Sequence, residues 1–256
     1  STLTTDDNSG AGVSVTAYDD SWINSTAGAA ALSIAVSQKT AVAASLGLSL
    51  TINDIENTTR AAVEDSDIFS DGTVTVSADS DAEIDSLAFG IAVGVAISGN
   101  ASAIAAGATG ALSFNEIDNV VEATVRNTDL PDPADPDASG TVSAGGAVSV
   151  TASDDSSIDA IAVAAAASIS GSTSATSVAV SIGLALAHNT IDKNVSASIV
   201  NMPSVLTGGG DVIVSASDAA AIEVTSFAAA VSVAVGAGTS VGVAGGASES
   251  TNIILS

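Results

Sequence analysis

The feature that most constrains this chain is a long internal repeat. Gly12-Val13-Ser14-Val15-Thr16-Ala17 returns as Gly72-Thr73-Val74-Thr75-Val76-Ser77-Ala78, as Ala147-Val148-Ser149-Val150-Thr151-Ala152, and as Asp211-Val212-Ile213-Val214-Ser215-Ala216. The leading valines lie 61, 74 and 64 positions apart. Ten residues beyond each comes an isoleucine, at Ile23, Ile84, Ile158 and Ile222, followed by Asn24, Asp85, Asp159 or Glu223. A second anchor closes each unit: Asn53-Asp54-Ile55, Asn115-Glu116-Ile117, Asn189-Thr190-Ile191 and Asn252-Ile253-Ile254. Self-similarity at such a period means modules that bury their faces against neighbouring copies. We divide the chain into units over residues 1–71, 72–145, 146–209 and 210–256, about 3.7 repeats of 61–74 residues. The chain reads as a window cut from a longer array. An Asp/Pro insertion over 129–140 accounts for the long second unit and holds three of the four prolines. It is expected to form an extended, solvated excursion.

Between the anchors the period is two, the signature of strands. Phe89, Ile91, Val93, Val95 and Ile97 alternate with Gly90, Ala92, Gly94 and Ala96, and Val178 to Leu186 alternate in the same way. No charged residue occurs from Ser86 through Phe114 or from Ala160 through Ile191. A strand apolar on both sides calls for cover on both sides. The bulky row is expected to supply the core, and the Ala/Gly/Ser row to let a second layer approach closely. Tight turns are expected at Ser37–Thr40, Ser98–Asn100, Ser170–Thr173 and Gly236–Thr239. Each unit then reads as a Val-x-Val-x-Ala strand, a longer strand, a turn, another long strand, and a short Asn-x-Ile to Ala-x-Val piece. The expected fold is all-β and elongated: a parallel β-solenoid, or alternatively a rod of stacked β-hairpins.

Composition narrows the function classes. Four Lys and Arg stand against 29 Asp and Glu, for a formal charge of −25, which leaves nothing to displace counterions from a nucleic acid. Cysteine is absent, so disulfides and thiol chemistry are excluded. Aromatics make up 2% of the chain, too few for the usual walls of a substrate cleft. His188 is the single histidine and is read as a structural or surface residue. The alternation and the polar breaks argue against membrane helices, and the missing aromatic girdles and polar lumen face argue against a membrane barrel. Membrane insertion is therefore not expected.

These motifs carry a resemblance. Gly-x-Val-x-Val-x-Ala, an alternating Ala/Ser/Gly/Val stretch, then Asn-x-Ile and Ala-x-Val/Ile over Gly12 to Ile254 resemble repeats of very large bacterial surface adhesins, particularly leukotoxin-type filamentous adhesins. That resemblance implies an exported, extracellular or cell-surface β-repeat rod, and it transfers no catalytic residue. The chain is expected not to be an enzyme. Its expected partners are itself, through stacking or filament polymerisation, and surface glycans or proteins.

The candidate site is a set of repeated acidic turns after the Val-x-Val-x-Ala strand: Asp19, Asp20, Asp79, Asp81, Asp154, Asp155 and Asp218. Hard carboxylate oxygens recurring at one place along a rod are the ligand type for Ca²⁺, so a carbohydrate- or calcium-binding module is the alternative reading. No cofactor is required by either. A polysaccharide-degrading enzyme would have to draw on Asp154 and Asp155. Asn53, Asn115, Asn189 and Asn252 are expected at corners, bonding backbone groups and forming a ladder along the stack. Tyr18 and Trp22 are expected to pack locally in the first unit rather than form an exposed patch.

Overall fold

The computed structural model describes residues 1–5, 10–128 and 140–256. Of the Asp/Pro insertion only Gly140 falls among them. The described chain is a parallel β-solenoid whose coils each contain two very long strands and one short one. The strands are β1 (Thr2–Thr4), β2 (Val13–Ser37), β3 (Ala41–Glu64), β4 (Asp67–Ser70), β5 (Val74–Ser98), β6 (Ala103–Arg126), β7 (Thr141–Ala144), β8 (Val148–Ser172), β9 (Ser177–Val200), β10 (Ser204–Thr207), β11 (Val212–Gly236) and β12 (Ser240–Leu255). They form three four-stranded sheets, β1-β4-β7-β10, β2-β5-β8-β11 and β3-β6-β9-β12. All pairing is parallel and runs from coil to coil, with Val13, Val74, Val148 and Val212 in one row. The two long strands of a coil belong to different sheets, so they form an arch and not a hairpin. This excludes the stacked-hairpin alternative.

The pieces expected to be separate strands are continuous. The Val-x-Val-x-Ala segment runs on into the first apolar stretch as one strand of 25 residues, and the second stretch with its Asn-x-Ile and Ala-x-Val anchors makes one strand of 24. The short third side, Asp67–Ser70 and its equivalents, was not expected. The third turn also differs: β8 continues to Ser172, so Ser170 and Gly171 are strand and the turn spans residues 173–176. Register explains this, because Ser37, Ser98 and Ser172 share one row at the end of the long sheet. Ser98 Oγ accepts the Ala101 N–H at 3.1 Å and Ser172 Oγ accepts the Ala175 N–H at 3.0 Å, so the serine closes the turn wherever the loop length changes.

Each coil thus has a base, closed by the short strand, and a tip, closed by a tight turn. The base holds an aliphatic core: Val74, Val76, Val121, Val125, Ile68, Val142, Val148 and Val150 are almost wholly buried. Further along, Ile84, Ile117, Ile158 and Ile191 stack face to face across the two long sheets. Toward the tip the interior shrinks to alanine, glycine and serine, with Ala88, Ala92, Ala96, Ala105 and Ala111 fully enclosed.

Here the expected sidedness is reversed. The small row lies between the sheets, and the bulky row faces outward: Ile91, Ile97, Leu46 and Leu48 are 46%, 48%, 63% and 61% exposed. The cause is the close approach of two backbones. A Cβ built on Gly94 would sit 2.7 Å from the carbonyl oxygen of Ala106 on the opposing sheet, so branched side chains have no room inside the tip.

Candidate functional site

The seven acidic candidates lie on strands, not in turns, and alternation divides them between the two faces of the sheet. Asp19, Asp154 and Asp218 belong to one inward row that runs Asp19, Ser80, Asp154, Asp218 from coil to coil. Facing it across the interior is the row Asn57, Asn119, Lys193. Asn57 Nδ2 donates to Asp19 Oδ2 at 2.7 Å and to Ser21 Oγ at 2.8 Å. Asn119 Nδ2 donates to Asp154 Oδ2 at 2.9 Å and to Ser156 Oγ at 3.0 Å. Where two aspartates follow one another, the facing residue changes from amide to cation. Lys193 Nζ pairs with Asp154 Oδ1 at 3.0 Å and with Asp218, and donates to the Ala219 carbonyl at 2.8 Å. The side chains of Lys193 and Asp154 have no exposure at all. A buried ion set of this kind is stable only when each charge is paired and hydrogen-bonded, as here.

Asp20, Asp79, Asp81 and Asp155 point outward. Asp20 pairs in register with Asp81, and the registered pairs Ser80–Asp154 and Glu83–Ser157 bracket Asp81 and Asp155. Asp79 accepts the Ser153 hydroxyl at 2.6 Å. Tyr18 and Trp22 share this surface, 69% and 61% exposed, so neither takes the packing role expected of it. The Asp20 carboxylate, reinforced by partial loss of hydration and by Asp81, pushes the exposed Tyr18 phenol above its ordinary value. Asp154 and Asp155, adjacent in the chain, fall on opposite faces of one sheet and cannot act together on one substrate. Among the described residues no cluster of three or more His, Cys, Asp or Glu side chains has metal-holding geometry. Among the described residues no helix is long and apolar enough to cross a membrane.

The asparagine ladder exists but is not at corners. Asn53, Asn115, Asn189 and Asn252 stand mid-strand and point inward. Asn53 Nδ2 donates to Asn115 Oδ1 and Asn115 Nδ2 to Asn189 Oδ1, both at 2.6 Å, and Asn189 Nδ2 to Asn252 Oδ1 at 3.0 Å. These are side-chain bonds along the stack, not bonds to backbone. A hydroxyl chain lies beside them: Thr51, Ser86 and Ser113 are linked at 2.8 Å each, and Ser113 Oγ accepts from Asn115 Nδ2 at 3.0 Å.

Sequence reading missed a clasp at the base. The Asp65 carboxylate accepts the backbone N–H and the hydroxyl of Thr128, both at 2.6 Å, and Asp67 Oδ1 accepts the N–H groups of Gly140 and Thr141 at 2.8 and 2.9 Å. Two carboxylates of one coil thereby pin both flanks of the insertion in the next. These bonds hold both carboxyls below their ordinary value. Asp65 takes a left-handed conformation, φ 49°, which Asp tolerates better than most residues. The signal available in the sequence was Asp-Ser-Asp between two strands, which reads as an ordinary turn. His188 lies outward beside Phe114, ring centroids 6.3 Å apart.

Compared with known proteins, the chain matches no family model, and no curated protein or solved structure is significantly similar to it.

Proposed function

We propose that this chain is a structural and adhesive segment of an extracellular bacterial β-repeat filament or giant adhesin, acting as a stiff rod that stacks on itself. The observation that carries this reading is the direction in which the repeated polar residues bond. The Asn53–Asn252 amide ladder bonds from coil to coil, and the buried Asp/Asn/Lys rows bond across a coil and to its neighbour, so both spend their capacity inside the solenoid. Residues used this way hold a shape and leave no chemistry for a substrate. Parallel sheets paired coil to coil accept a further strand by the same pairing, which is the form self-stacking takes. Adhesion to surface glycans or proteins then belongs to outward rows, and length and stiffness belong to the coils.

The outward carboxylates Asp20, Asp81 and Asp155 favour one second reading, a calcium- or carbohydrate-binding module. Calorimetric titration of the whole chain with Ca²⁺ and with surface glycans separates the two. The rod reading expects no saturable heat and an unchanged melting temperature. Stoichiometric Ca²⁺ heat that disappears in a combined Asp20→Asn, Asp81→Asn, Asp155→Asn variant would replace it with the binding module.

A further inference from the structure

The tip half of the solenoid is greasy on both outer faces, and among the described outward rows Glu249 of the last coil is the one charge. On one face the outward row runs from Leu87 to Ile97 and its equivalents, and on the other from Ile104 to Phe114. Ten strand steps span about 33 Å, and coils repeat at ~4.8 Å, so three to four coils present roughly 500–600 Å² of apolar surface per face. Scattered surface hydrophobes need no explanation, but a contiguous band at the upper end for a monomer does. Toward the base the same rows become acidic, with Asp79, Asp81, Glu83 and Asp85 on one sheet and Glu116 and Asp118 on the other.

We propose that the occupant of each band is a second copy of this chain, packed sheet to sheet with its tip pointing the opposite way. Three observations select this arrangement. The area, about 1,000–1,200 Å² summed over two partners, reaches what a specific interface needs. Charge fixes the orientation: side by side with tips aligned, two acidic base halves would face each other across about 10 Å, whereas tip to tip they project into water on opposite sides. A two-fold axis parallel to the solenoid axis produces that overlap and repeats it coil by coil, so the contact grows with array length. The third is shape. Ala108 and Gly110 interrupt the leucine rows between Leu48 and Leu184, leaving an apolar furrow of about 200 Å³. A facing leucine row can seat its side chains there, as inner faces do in a β-sandwich.

With a band on both faces, the wild-type chain is expected to grow laterally beyond dimers at tens of micromolar, and more so in 0.5 M salt, as repulsion between acidic halves is screened. Sedimentation velocity on the whole chain tests this with two variants whose substituted side chains are exposed. Leu48→Glu with Leu184→Glu blocks one face and is expected to stop growth at dimers. Adding Ile91→Glu and Val233→Glu blocks both and is expected to give monomers with unchanged circular dichroism. End-to-end stacking would be insensitive to all four changes. A monomeric wild type at every salt concentration overturns the proposal. So does oligomerisation unaltered by the variants, or a wild type that is monomeric alone but floats with phosphatidylcholine vesicles.

Discussion

At the scale of the residue, the interior is a set of polar rows whose cost depends on each member finding its partner across the coil or in the next one. Lys193 is the sharpest case, because it pairs with Asp154 and Asp218 at once with no exposure of its own. Lys193→Met keeps the length and removes the charge, leaving a fully buried carboxylate without its cation. Breaking a buried pair this way costs about 3–5 kcal/mol. Since solenoids unfold by neighbouring units, the loss is expected in hydrogen exchange of β8, β9 and β11 first, ahead of β2 and β3. Uniform loss of protection along the chain would show that the pair is not a local brace. Asn115→Ala offers a graded comparison. It strands the Asn53 donor and the Asn189 acceptor, both buried, at about 1–3 kcal/mol for each. Asn252→Ala removes a single bond at the exposed end, so its drop in melting temperature should be clearly smaller.

At the scale of the element, the period of two identified the strands, but it could not separate a solenoid coil from a stacked hairpin or say which side of a strand faces in. The bulky row at Phe89–Ile97 looked like core because large aliphatic side chains usually are. The deciding fact is long-range: the opposing backbone at Ala106 leaves no room for a Cβ at Gly94. Gly94→Val should therefore force the sheets apart and lower stability by about 1–3 kcal/mol. Gly171→Val, outward with nothing near its Cβ, should leave the melting temperature unchanged or raise it. The facing Asp and Asn rows were illegible for the same reason, since Asp19 and Asn57 are 38 residues apart and meet only across the closed coil. The short third side escaped notice because four residues carry too little pattern. That side also has a pH signature. The N–H groups of Thr141 and Gly140 hold the Asp67 carboxyl below its ordinary value of 3.8, so its contribution is fully present above that value and fades as pH falls through the lower folded value. Asp67→Asn should lower the melting temperature at pH 6 and lose that difference as acidification carries the pH down through the carboxyl's lowered value. A difference that persisted undiminished in acid would mean the carboxylate charge is irrelevant to the clasp.

At the scale of the whole molecule, inside and outside trade roles along each coil. The base is aliphatic within and acidic without, and the tip is small and uncharged within and aliphatic without. One sheet order therefore offers two kinds of growth, along the axis through open edges and across it through the bands. Axial growth between identical copies meets an obstacle that the side-chain rows make explicit. If β11 of one copy pairs with β2 of the next in the register used throughout, the Ile222 and Ile23 rows continue, and so does the Asn252 to Asn53 ladder. Asp218, however, comes to lie beside Asp19, about 4.8 Å away and facing the interior. Lys193 is already committed to Asp154 and Asp218, and the residue facing Asp19 is the neutral Asn57. Three successive carboxylates, Asp154, Asp218 and Asp19, would then share one cation in a drying joint, and the third repels and resists burial. Asp19→Asn removes one of them and keeps an amide able to accept from Asn57, so it should lengthen end-to-end rods. With both bands blocked by glutamate to silence lateral contact, electron microscopy at neutral pH should find longer particles for Asp19→Asn than for its parent. Equal lengths would mean that the joint, if it forms, does not use the coil-to-coil register.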